Sequence, residues 1–187
     1  MTVALAILAA GASTRMAPRR KQLVEIDGEP LVRRAARIAI ASRASHVAVV
    51  LGAFADEIAP ALAGLRVTRL DNAAWTEGMA SSVRTAATWA ATTDATALLL
   101  CVCDQPAMTT AHLDALIAAH AADHAYADSA SPARTIGSAY AGTVGVPALI
   151  PRARWPELLA LRGDRGARAL LGDDALPLAG GELDVDA

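Results

Sequence analysis

Apolar runs too short to cross a membrane alternate along the chain with segments of helical periodicity. Four strand-like runs are Val3–Leu8, His46–Leu51, Arg66–Leu70 and Ala95–Val102. The segments that repeat apolar residues every three or four positions predict helices at Pro30–Ala41, Phe54–Leu62, Met79–Ala90 and Thr110–Ala121. Apolar strands separated by helices predict a parallel sheet that is covered by helices on both faces.

The pattern becomes less regular after Ala122. A segment rich in Ser, Ala and Pro predicts an exposed loop over Ala127–Arg134, followed by strands near Thr135–Tyr140 and Val144–Ile150. No linker or repeat divides the 187 residues, and their apolar content of 54% is sufficient for one core. We therefore expect a single domain, residues 1–187, with an α/β fold in which a mainly parallel sheet forms the middle layer of a three-layer α/β/α arrangement.

Composition and charge exclude several classes of function. The formal net charge at pH 7 is −2, so no broad basic field is available to bind nucleic acid. No apolar run approaches the roughly 18 residues of a membrane span, and the N-terminus lacks the features of a signal peptide. Cys101 and Cys103 lie on one predicted buried strand and are expected to be reduced core thiols rather than metal ligands. We expect a cytoplasmic protein that binds neither nucleic acid nor a membrane.

The loop after the first strand has the composition of a phosphate-binding loop. Ala9, Ala10 and Gly11 carry almost no side chain, so a triphosphate can approach the backbone N–H groups closely. Arg15 and Lys21 add positive charge to the same stretch. An ordinary strand-to-helix turn with solvated basic residues is the alternative interpretation. The loop contains neither the G-x-G-x-x-G motif of dinucleotide folds nor the G-x-x-x-x-G-K-[ST] motif of P-loops.

Polar residues also follow the third and fourth predicted strands, as Asp71-Asn72 and Asp104-Gln105-Pro106. The carboxyl ends of parallel strands meet at one edge of a sheet, so these residues are expected near Gly11. A carboxylate at the end of an apolar strand is costly unless it meets a cation, and Mg²⁺ that bridges phosphates suits Asp104. The alternative role is a cap for the next helix, for which Thr109 is better placed.

Two later segments are candidates for further parts of a site. Gly78 would let the chain approach a flat base, and Ser81 or Ser82 could offer hydroxyl groups at the start of a helix or simply cap it. The Gly-Asp-x-Gly turn could aim Asp164 and Arg168 into a cleft, or hold them as a solvated ion pair.

These segments, in their order along the chain, resemble the motifs of the MobA-like nucleotidyltransferases, which include the molybdenum cofactor cytidylyltransferases. The first loop is similar to L-A-A-G-x-S-x-R-M-G followed by Lys, and residues 72–82 are similar to N-x-x-W-x-x-G-M-x-x-S. Residues 104–106, 145–147 and 161–168 resemble the D-x-P, G-x-P and L-x-G-D-x-G-A-R segments of the family. The resemblance implies a Rossmann-like nucleotidyltransferase fold. It also implies an enzyme that transfers CMP from CTP to the phosphate of molybdopterin, releases pyrophosphate and uses Mg²⁺.

The resemblance also implies roles for individual residues. Arg15 and Lys21 would stabilise the triphosphate and the leaving pyrophosphate, while Asp104 and Asp186 would hold Mg²⁺; Arg15, Lys21 and Asp104 are thus the implied catalytic residues. The residues implied in nucleotide binding are Leu8, Ala9, Ala10, Gly11, Ser13, Arg15, Lys21, Asn72, Gly78, Ser81 and Ser82. The residues implied in acceptor binding are Gly145, Pro147, Asp164 and Arg168.

Ala10 bears on the choice of base, because in this family an A-A-G turn accompanies CTP and an A-G-G turn accompanies GTP. One methyl group narrows a purine-sized pocket, although such a contact discriminates by only about 1–3 kcal/mol. The implied partners are CTP, molybdopterin or another phosphorylated small molecule, and a molybdoenzyme or its chaperone.

Two other functions stay open on the sequence alone. The acceptor could be a sugar phosphate or an alcohol phosphate, because no basic cluster suited to a pterin stands out. Alternatively, the protein could bind a nucleotide or cofactor without turnover. Two features favour that reading: Ala17 replaces the Gly that usually follows Arg-Met, and the tail similar to D-x-D-T-P-x-D stops just after Asp186.

Overall fold

The structure is a computed structural model and describes residues 1–13, 19–126 and 134–183. The strands within these residues are β1 (Val3–Leu8), β2 (Glu25–Ile26), β3 (Glu29–Pro30), β4 (His46–Leu51), β5 (Thr68–Asp71), β6 (Ala97–Val102), β7 (Ile136–Tyr140), β8 (Thr143–Pro151) and β9 (Ala175–Pro177). The α-helices are α1 (Leu31–Ile40), α2 (Ala55–Ile58), α3 (Met79–Ala91), α4 (Thr110–Tyr126) and α5 (Trp155–Ala160).

Seven of these strands form one sheet in the order β5-β4-β1-β6-β8-β7-β9. β1 pairs in parallel with β4 on one side and with β6 on the other, and β4 pairs in parallel with β5. β8 runs antiparallel to both β6 and β7, while β9 pairs in parallel with β7. The expectation of a mainly parallel sheet is confirmed.

The order of the strands reverses beside β1. The chain leaves β1 towards β4 and β5 and then returns on the other side of β1 as β6. Open α/β sheets bind ligands at such a reversal, beyond the carboxyl ends of the strands. Leu8 and Val102, the last residues of β1 and β6, are direct partners in the register. The loop at Gly11 and the segment at Asp104 therefore start side by side.

Alternate residues of the central strands pack into two separate cores. The odd-numbered side chains of β1 share one core with α1 and α4, through residues such as Val32 and Leu116. The even-numbered side chains share the other core with α3 and α5, through residues such as Val83 and Leu158. Burial of each large aliphatic side chain contributes roughly 1.5–3 kcal/mol. This arrangement confirms the predicted three layers.

The element predictions are confirmed with shifts of a few residues at most ends, and β1 and β4 have the predicted bounds. The helix predicted over 54–62 is instead the short α2 followed by a 3₁₀ turn at Ala59–Leu62, which carries a proline in its first positions. The apolar pattern misses β9 and the hairpin β2–β3, whose turn places Asp27 and Gly28 at positive φ. These strands are only two or three residues long, so they carry no apolar run.

Cys101 and Cys103 are buried, as expected of core thiols. Burial raises the pKa of the Cys101 thiol well above its usual range, because the thiolate would lose its hydration. Among the described parts of the chain, no helix has both the length and the apolar character that a membrane span requires.

Candidate functional site

The loop after β1 is braced by a buried glutamine. Gln22 is 4% exposed, and its Nε2 donates to the carbonyl oxygens of Ala9 at 3.0 Å and Gly11 at 2.7 Å. Its Oε1 accepts a hydrogen bond from Ser13 Oγ at 3.1 Å, and Ser13 Oγ accepts one from the backbone N–H of Lys21 at 3.2 Å. Ser13 therefore supports the loop from within. The sequence pattern does not predict this role of Gln22, which is marked only by its position next to Lys21.

The segment between β4 and α2 closes one side of this loop. The N–H of Ala9 donates to a carbonyl oxygen of β4 at 2.9 Å, and the N–H of Ala53 donates to the Ala10 carbonyl at 3.0 Å. A Cβ on Gly52 would lie 2.6 Å from Trp75 Cβ and 2.8 Å from Ala10 Cβ, so only glycine fits there. The Ala9 N–H is thus already used within the fold, so a phosphate bound by this loop would have to contact later N–H groups.

Arg20 anchors the other end of the loop through two contacts. Its guanidinium carbon lies 3.3 Å from the centroid of the Phe54 ring, and its Nε donates to Glu57 Oε2 at 3.1 Å. Phe54 has a φ of 58°, a left-handed conformation that bulky residues seldom adopt. Because Arg20 directly precedes Lys21, these contacts help to set where the lysine enters the site.

Lys21 and Asp104 form an ion pair beyond the ends of β1 and β6. Lys21 Nζ lies 2.7 Å from Asp104 Oδ2, and the two side chains are 9% and 23% exposed. A buried ammonium group requires such a partner, because it has lost most of its hydration. Thr109 caps α4 by accepting a hydrogen bond from the His112 N–H at 3.2 Å, so Asp104 is not needed as the cap. Two residues that the sequence analysis treated separately are therefore in direct contact.

The donors at this position suit a metal ion that is shared with phosphate. Asp104 offers one carboxylate, and the described residues contain no group of three or more His, Cys, Asp or Glu side chains that could hold a metal by themselves. Mg²⁺ is usually bound by one or two carboxylates, the phosphates of a substrate and water. A single carboxylate beside a phosphate-binding loop fits that mode of binding. The predicted contributions of Arg15 and Asp186 lie outside the described residues.

Asn72, just after β5, organises the segment that leads into α3. It is 5% exposed, and its Nδ2 donates to Ser81 Oγ at 2.8 Å and to Ser82 Oγ at 3.1 Å. Its Oδ1 accepts from the Ala74 N–H at 3.0 Å. Ser81 Oγ donates to the Gly78 carbonyl at 2.8 Å, and both serines lie inside the first turns of α3. The alternative interpretation of these serines as helix caps is therefore wrong.

Residues 161–164 are attached to the start of α3. The Ala80 N–H donates to the Gly163 carbonyl at 3.0 Å, and the Gly163 N–H donates to Glu77 Oε1 at 3.2 Å. Arg84 donates to a carbonyl oxygen of this loop at 2.7 Å and forms a two-armed ion pair with Glu77. The hydrogen bonds from Arg84 and from the Gly163 N–H lower the pKa of Glu77 to about 2.

Gly78 is required at this junction. Its φ of 112° and ψ of −171° belong to a region that is essentially restricted to glycine. A Cβ here would lie 2.8 Å from the Gly163 carbonyl oxygen and 3.0 Å from Asp164 Cα. The close approach that Gly78 permits in this structure is therefore an approach to the backbone of residues 163–164.

A cavity of about 250 Å³ opens between these segments, and we call it the inner cavity. Three segments form its walls. The residues that line it are Leu8, Ala10, Gly11, Ala12, Trp75, Thr76, Gly78, Met79, Ser82 and Asp164. The polar side chains on the walls are those of Thr76, Ser82 and Asp164. Trp75 lines the inner cavity and also packs against the core that includes α3.

The residues predicted for acceptor binding do not come together. Gly145 and Pro147 are buried in β8: a Cβ on Gly145 would collide with the Tyr140 side chain, and the Pro147 carbonyl accepts from Ser138 Oγ at 2.6 Å. Asp164 lines the inner cavity instead.

Arg168 lies at a second, wider cavity of about 640 Å³, which we call the outer cavity. It is bounded by residues 139–144 and residues 171–173, and Arg168 contacts Thr143 Oγ1 across it. Because β8 runs antiparallel to β6, Thr143 at its start lies at the same edge of the sheet as Asp104. Both cavities therefore open at the edge of the sheet where the loop after β1 lies.

Residues 5–178 match the family described as the MobA-like NTP transferase domain. No curated protein sequence matches the chain. The crystal structure of the Mycobacterium tuberculosis Rv0371c homologue from Mycobacterium sp. strain JC1 is similar, with a TM-score of 0.76 and 28% identity over 99% of this chain and 90% of that chain. Rv0371c from M. tuberculosis H37Rv gives a TM-score of 0.74 at 25% identity, with 95% of this chain and 88% of that chain covered.

The same protein from M. tuberculosis has also been solved in complex with manganese, and that structure gives a TM-score of 0.70 at 24% identity, with 95% of this chain and 88% of that chain covered. At this level of identity the likeness shows the fold. All three structures span nearly the whole of this chain, so the fold is shared from end to end rather than over one motif.

Proposed function

The chain belongs to the MobA-like NTP transferase family and is a nucleotidyltransferase, and on this premise we propose that it transfers CMP from CTP to the phosphate group of molybdopterin. An oxygen of the acceptor phosphate attacks the α-phosphorus of CTP. The bond between that phosphorus and the oxygen that bridges to the β-phosphorus breaks, and pyrophosphate leaves. The reaction needs no covalent intermediate with the enzyme, so catalysis consists of positioning and charge neutralisation.

The observation that carries this proposal is the Lys21–Asp104 pair beside a loop of small residues. The Lys21 ammonium is aimed by its bond to Asp104 and neutralises the negative charge that collects on the leaving pyrophosphate. Gln22 keeps the loop backbone in place for the triphosphate. Arg15 is proposed to add a second positive charge.

Asp104 is proposed to hold a divalent metal, Mg²⁺ or Mn²⁺, with help from Asp186. A metal held by these carboxylates would neutralise the negative charge of the bound phosphates. The manganese complex of the M. tuberculosis protein supports the use of a divalent cation. Asp104 also pairs with the Lys21 ammonium. We therefore expect the phosphates of the nucleotide to bind Lys21 when Asp104 binds the metal, so that metal and nucleotide bind together.

The inner cavity is proposed to take the cytosine nucleoside. Its volume of about 250 Å³ and the Ala10 methyl group on its wall favour a pyrimidine over a purine. Gly78 and Ser82 line it, in agreement with the roles that the resemblance implies for them. The outer cavity is proposed to take the acceptor, because Arg168 and the Thr143 hydroxyl can bind a phosphate group.

A smaller phosphorylated acceptor, such as a sugar phosphate or an alcohol phosphate, is the second candidate. Arg168 is the only basic side chain among the described residues that line the outer cavity. One guanidinium suits a single phosphate group, and apart from Asp173 the other lining residues are neutral. For either acceptor, we propose that the protein is a single cytoplasmic domain. If the acceptor is molybdopterin, a molybdoenzyme or its chaperone is the proposed recipient of the product.

The experiment that tests the nucleotide half is the thermal shift of the purified protein with CTP, GTP, ATP and UTP, each with and without Mg²⁺ or Mn²⁺. Binding raises apparent stability by about 2.7 kcal/mol at a hundredfold excess over Kd. We expect the largest shift with CTP and metal, and we expect Asp104→Asn to abolish the metal-dependent part. Asp94→Asn is the matched control, because Asp94 pairs with His46 at the opposite edge of the sheet.

The acceptor is then tested by pyrophosphate release from CTP with molybdopterin, a sugar phosphate or an alcohol phosphate. Release with molybdopterin alone supports the first candidate, and release with one of the others supports the second. A protein that shows no nucleotide-dependent shift and no release with any acceptor would contradict the proposed function.

A further inference from the structure

We infer that Asp164 is a specificity residue of the nucleotide half, where its carboxylate accepts a hydrogen bond from the amino group of cytosine. This inference rests on the proposed function, because it takes the inner cavity as the nucleoside site. The resemblance implies an acceptor role for Asp164 alongside Arg168, but the structure places these two residues at different cavities.

The position of Asp164 is fixed by the attachment of its loop to α3. Its Oδ1 accepts from the Met79 N–H at 3.4 Å, at the first residue of α3. The neighbouring Gly163 is bonded through both its carbonyl and its N–H, to Ala80 and Glu77. The exposed Asp164 therefore lies on the wall of the inner cavity, which the small residues Ala10, Gly11 and Ala12 also line.

The location suits a carboxylate. The N-terminus of a helix carries a partial positive charge, and Asp164 lies at the N-terminus of α3. A carboxylate that is ionised can only accept hydrogen bonds. The second oxygen, Oδ2, has no hydrogen bond within the part of the chain that the structure describes, so it is available to a donor in the inner cavity.

An acceptor at this position distinguishes the two pyrimidines. Cytosine presents an amino group at the edge where uracil presents a carbonyl oxygen. The amino group can donate to Asp164, whereas the uracil oxygen would face another acceptor and lose its hydrogen bond to water. The size of the inner cavity thus selects against purines, and the charge of Asp164 selects cytosine over uracil.

The decisive variant is Asp164→Asn. Its side-chain oxygen can still accept from the Met79 N–H, while its amide nitrogen replaces an acceptor with a donor. The experiment is to determine the dissociation constants of CTP, UTP and dCTP with Mg²⁺ by calorimetry, which requires no acceptor. We expect the wild-type preference for CTP over UTP to fall at least tenfold in Asp164→Asn, through weaker CTP binding and tighter UTP binding. The CTP to dCTP ratio should stay unchanged.

A second variant, Asp164→Ala, removes the carboxylate without adding a donor. It should lose affinity for CTP and gain none for UTP. Asp94→Asn makes the same change of charge at the opposite edge of the sheet and should leave all three dissociation constants as in the wild type.

Two results would overturn the inference. An unchanged CTP to UTP ratio in Asp164→Asn would show that this carboxylate does not contact the base, and a change confined to the CTP to dCTP ratio would place it at the ribose. Both differ from failure of the proposed function, in which the wild-type protein itself binds no nucleoside triphosphate.

Discussion

The two halves of the site are built differently. Around the inner cavity, the amide side chains of Gln22 and Asn72 are almost fully buried, and each makes at least three hydrogen bonds to neighbouring segments. Around the outer cavity, the structure shows a turn, a short 3₁₀ helix and the exposed Arg168. The half proposed to hold the nucleotide is organised by hydrogen bonds within the protein, whereas the half proposed to receive the acceptor is open.

This difference has a physical origin in the sheet. The loops of the nucleotide half leave β1, β4, β5 and β6 directly, and these strands are paired in parallel at the reversal of strand order. The acceptor half depends on the hairpin β7–β8 and on residues 165–173, which have little regular structure. We therefore expect changes in the nucleotide half to affect catalysis or stability strongly, and changes in the acceptor half to affect only the choice and affinity of acceptor.

The largest effect is expected from Lys21→Met. Lys21 is the only lysine in the chain, and its ammonium lies 2.7 Å from Asp104. Removing a single preorganised charge at a developing anion lowers kcat by about a thousandfold. The measurement is the rate of pyrophosphate release from CTP and acceptor. Lys21→Arg keeps the charge but not the geometry and should recover only part of the rate; full activity in Lys21→Met would remove this residue from the mechanism.

Gly78→Ala should cost stability in the nucleotide half. The new residue would adopt a φ of 112° and place its Cβ 2.8 Å from the Gly163 carbonyl oxygen, so we expect a loss of about 2–3 kcal/mol in the free energy of unfolding. Urea denaturation measures it. The matched control is Gly64→Ala, which has a φ of 78° but open space around the new Cβ. The control should lose only about 1 kcal/mol, and equal losses would show that the contact with residue 163 is unimportant.

Arg168→Ala tests the acceptor half. Within the described residues, Thr143 is the hydrogen-bonding partner of the Arg168 guanidinium, so loss of this side chain should leave the fold intact. We expect the KM for the acceptor to rise about tenfold, because one exposed charge-assisted contact is lost. The dissociation constant of CTP should not change. A matching loss of CTP affinity would mean that the two halves are not separate.

The smallest effect is a pH dependence of the attachment between α3 and residues 161–164. The pKa of Glu77 is lowered from 4.5 to about 2, chiefly by its hydrogen bonds from Arg84. A carboxyl group whose pKa is depressed in the folded state stabilises the protein at pH values above its pKa in the unfolded state. This contribution is lost as the pH falls from about 4.5 towards 2. The stability of the wild type should therefore decrease through that window relative to Glu77→Gln.

Urea midpoints between pH 6 and pH 2.5 measure this difference. Glu29→Gln is the control for the attachment, since Glu29 forms a comparable exposed ion pair with Arg37 of α1. CTP affinity should fall with pH in step with the loss of the Glu77 pair in the wild type, and the Glu29 variant should show the same fall. A flat difference between wild type and Glu77→Gln across the window would contradict the role of this pair.

Much of the fold could be predicted because it depends on local patterns. Continuous apolar runs identified β1 and β4 with their bounds, and helical spacing identified α1, α3 and α4. The loop chemistry was also local: small residues followed by Lys21 predict a phosphate-binding loop. Asp104 could be chosen because a carboxylate after an apolar strand stands out in the sequence.

Contacts between distant segments were beyond the reach of those patterns. The amino acid sequence by itself determined which segments become buried strands and helices and which loops carry small, basic and acidic groups, because these properties depend on near neighbours in the chain. Only the tertiary structure decided that Lys21 contacts Asp104, that Gln22 supports the loop after β1, and that Asp164 and Arg168 line different cavities. These outcomes depend on strand order and register, which bring residues together across the sheet whatever their separation in sequence.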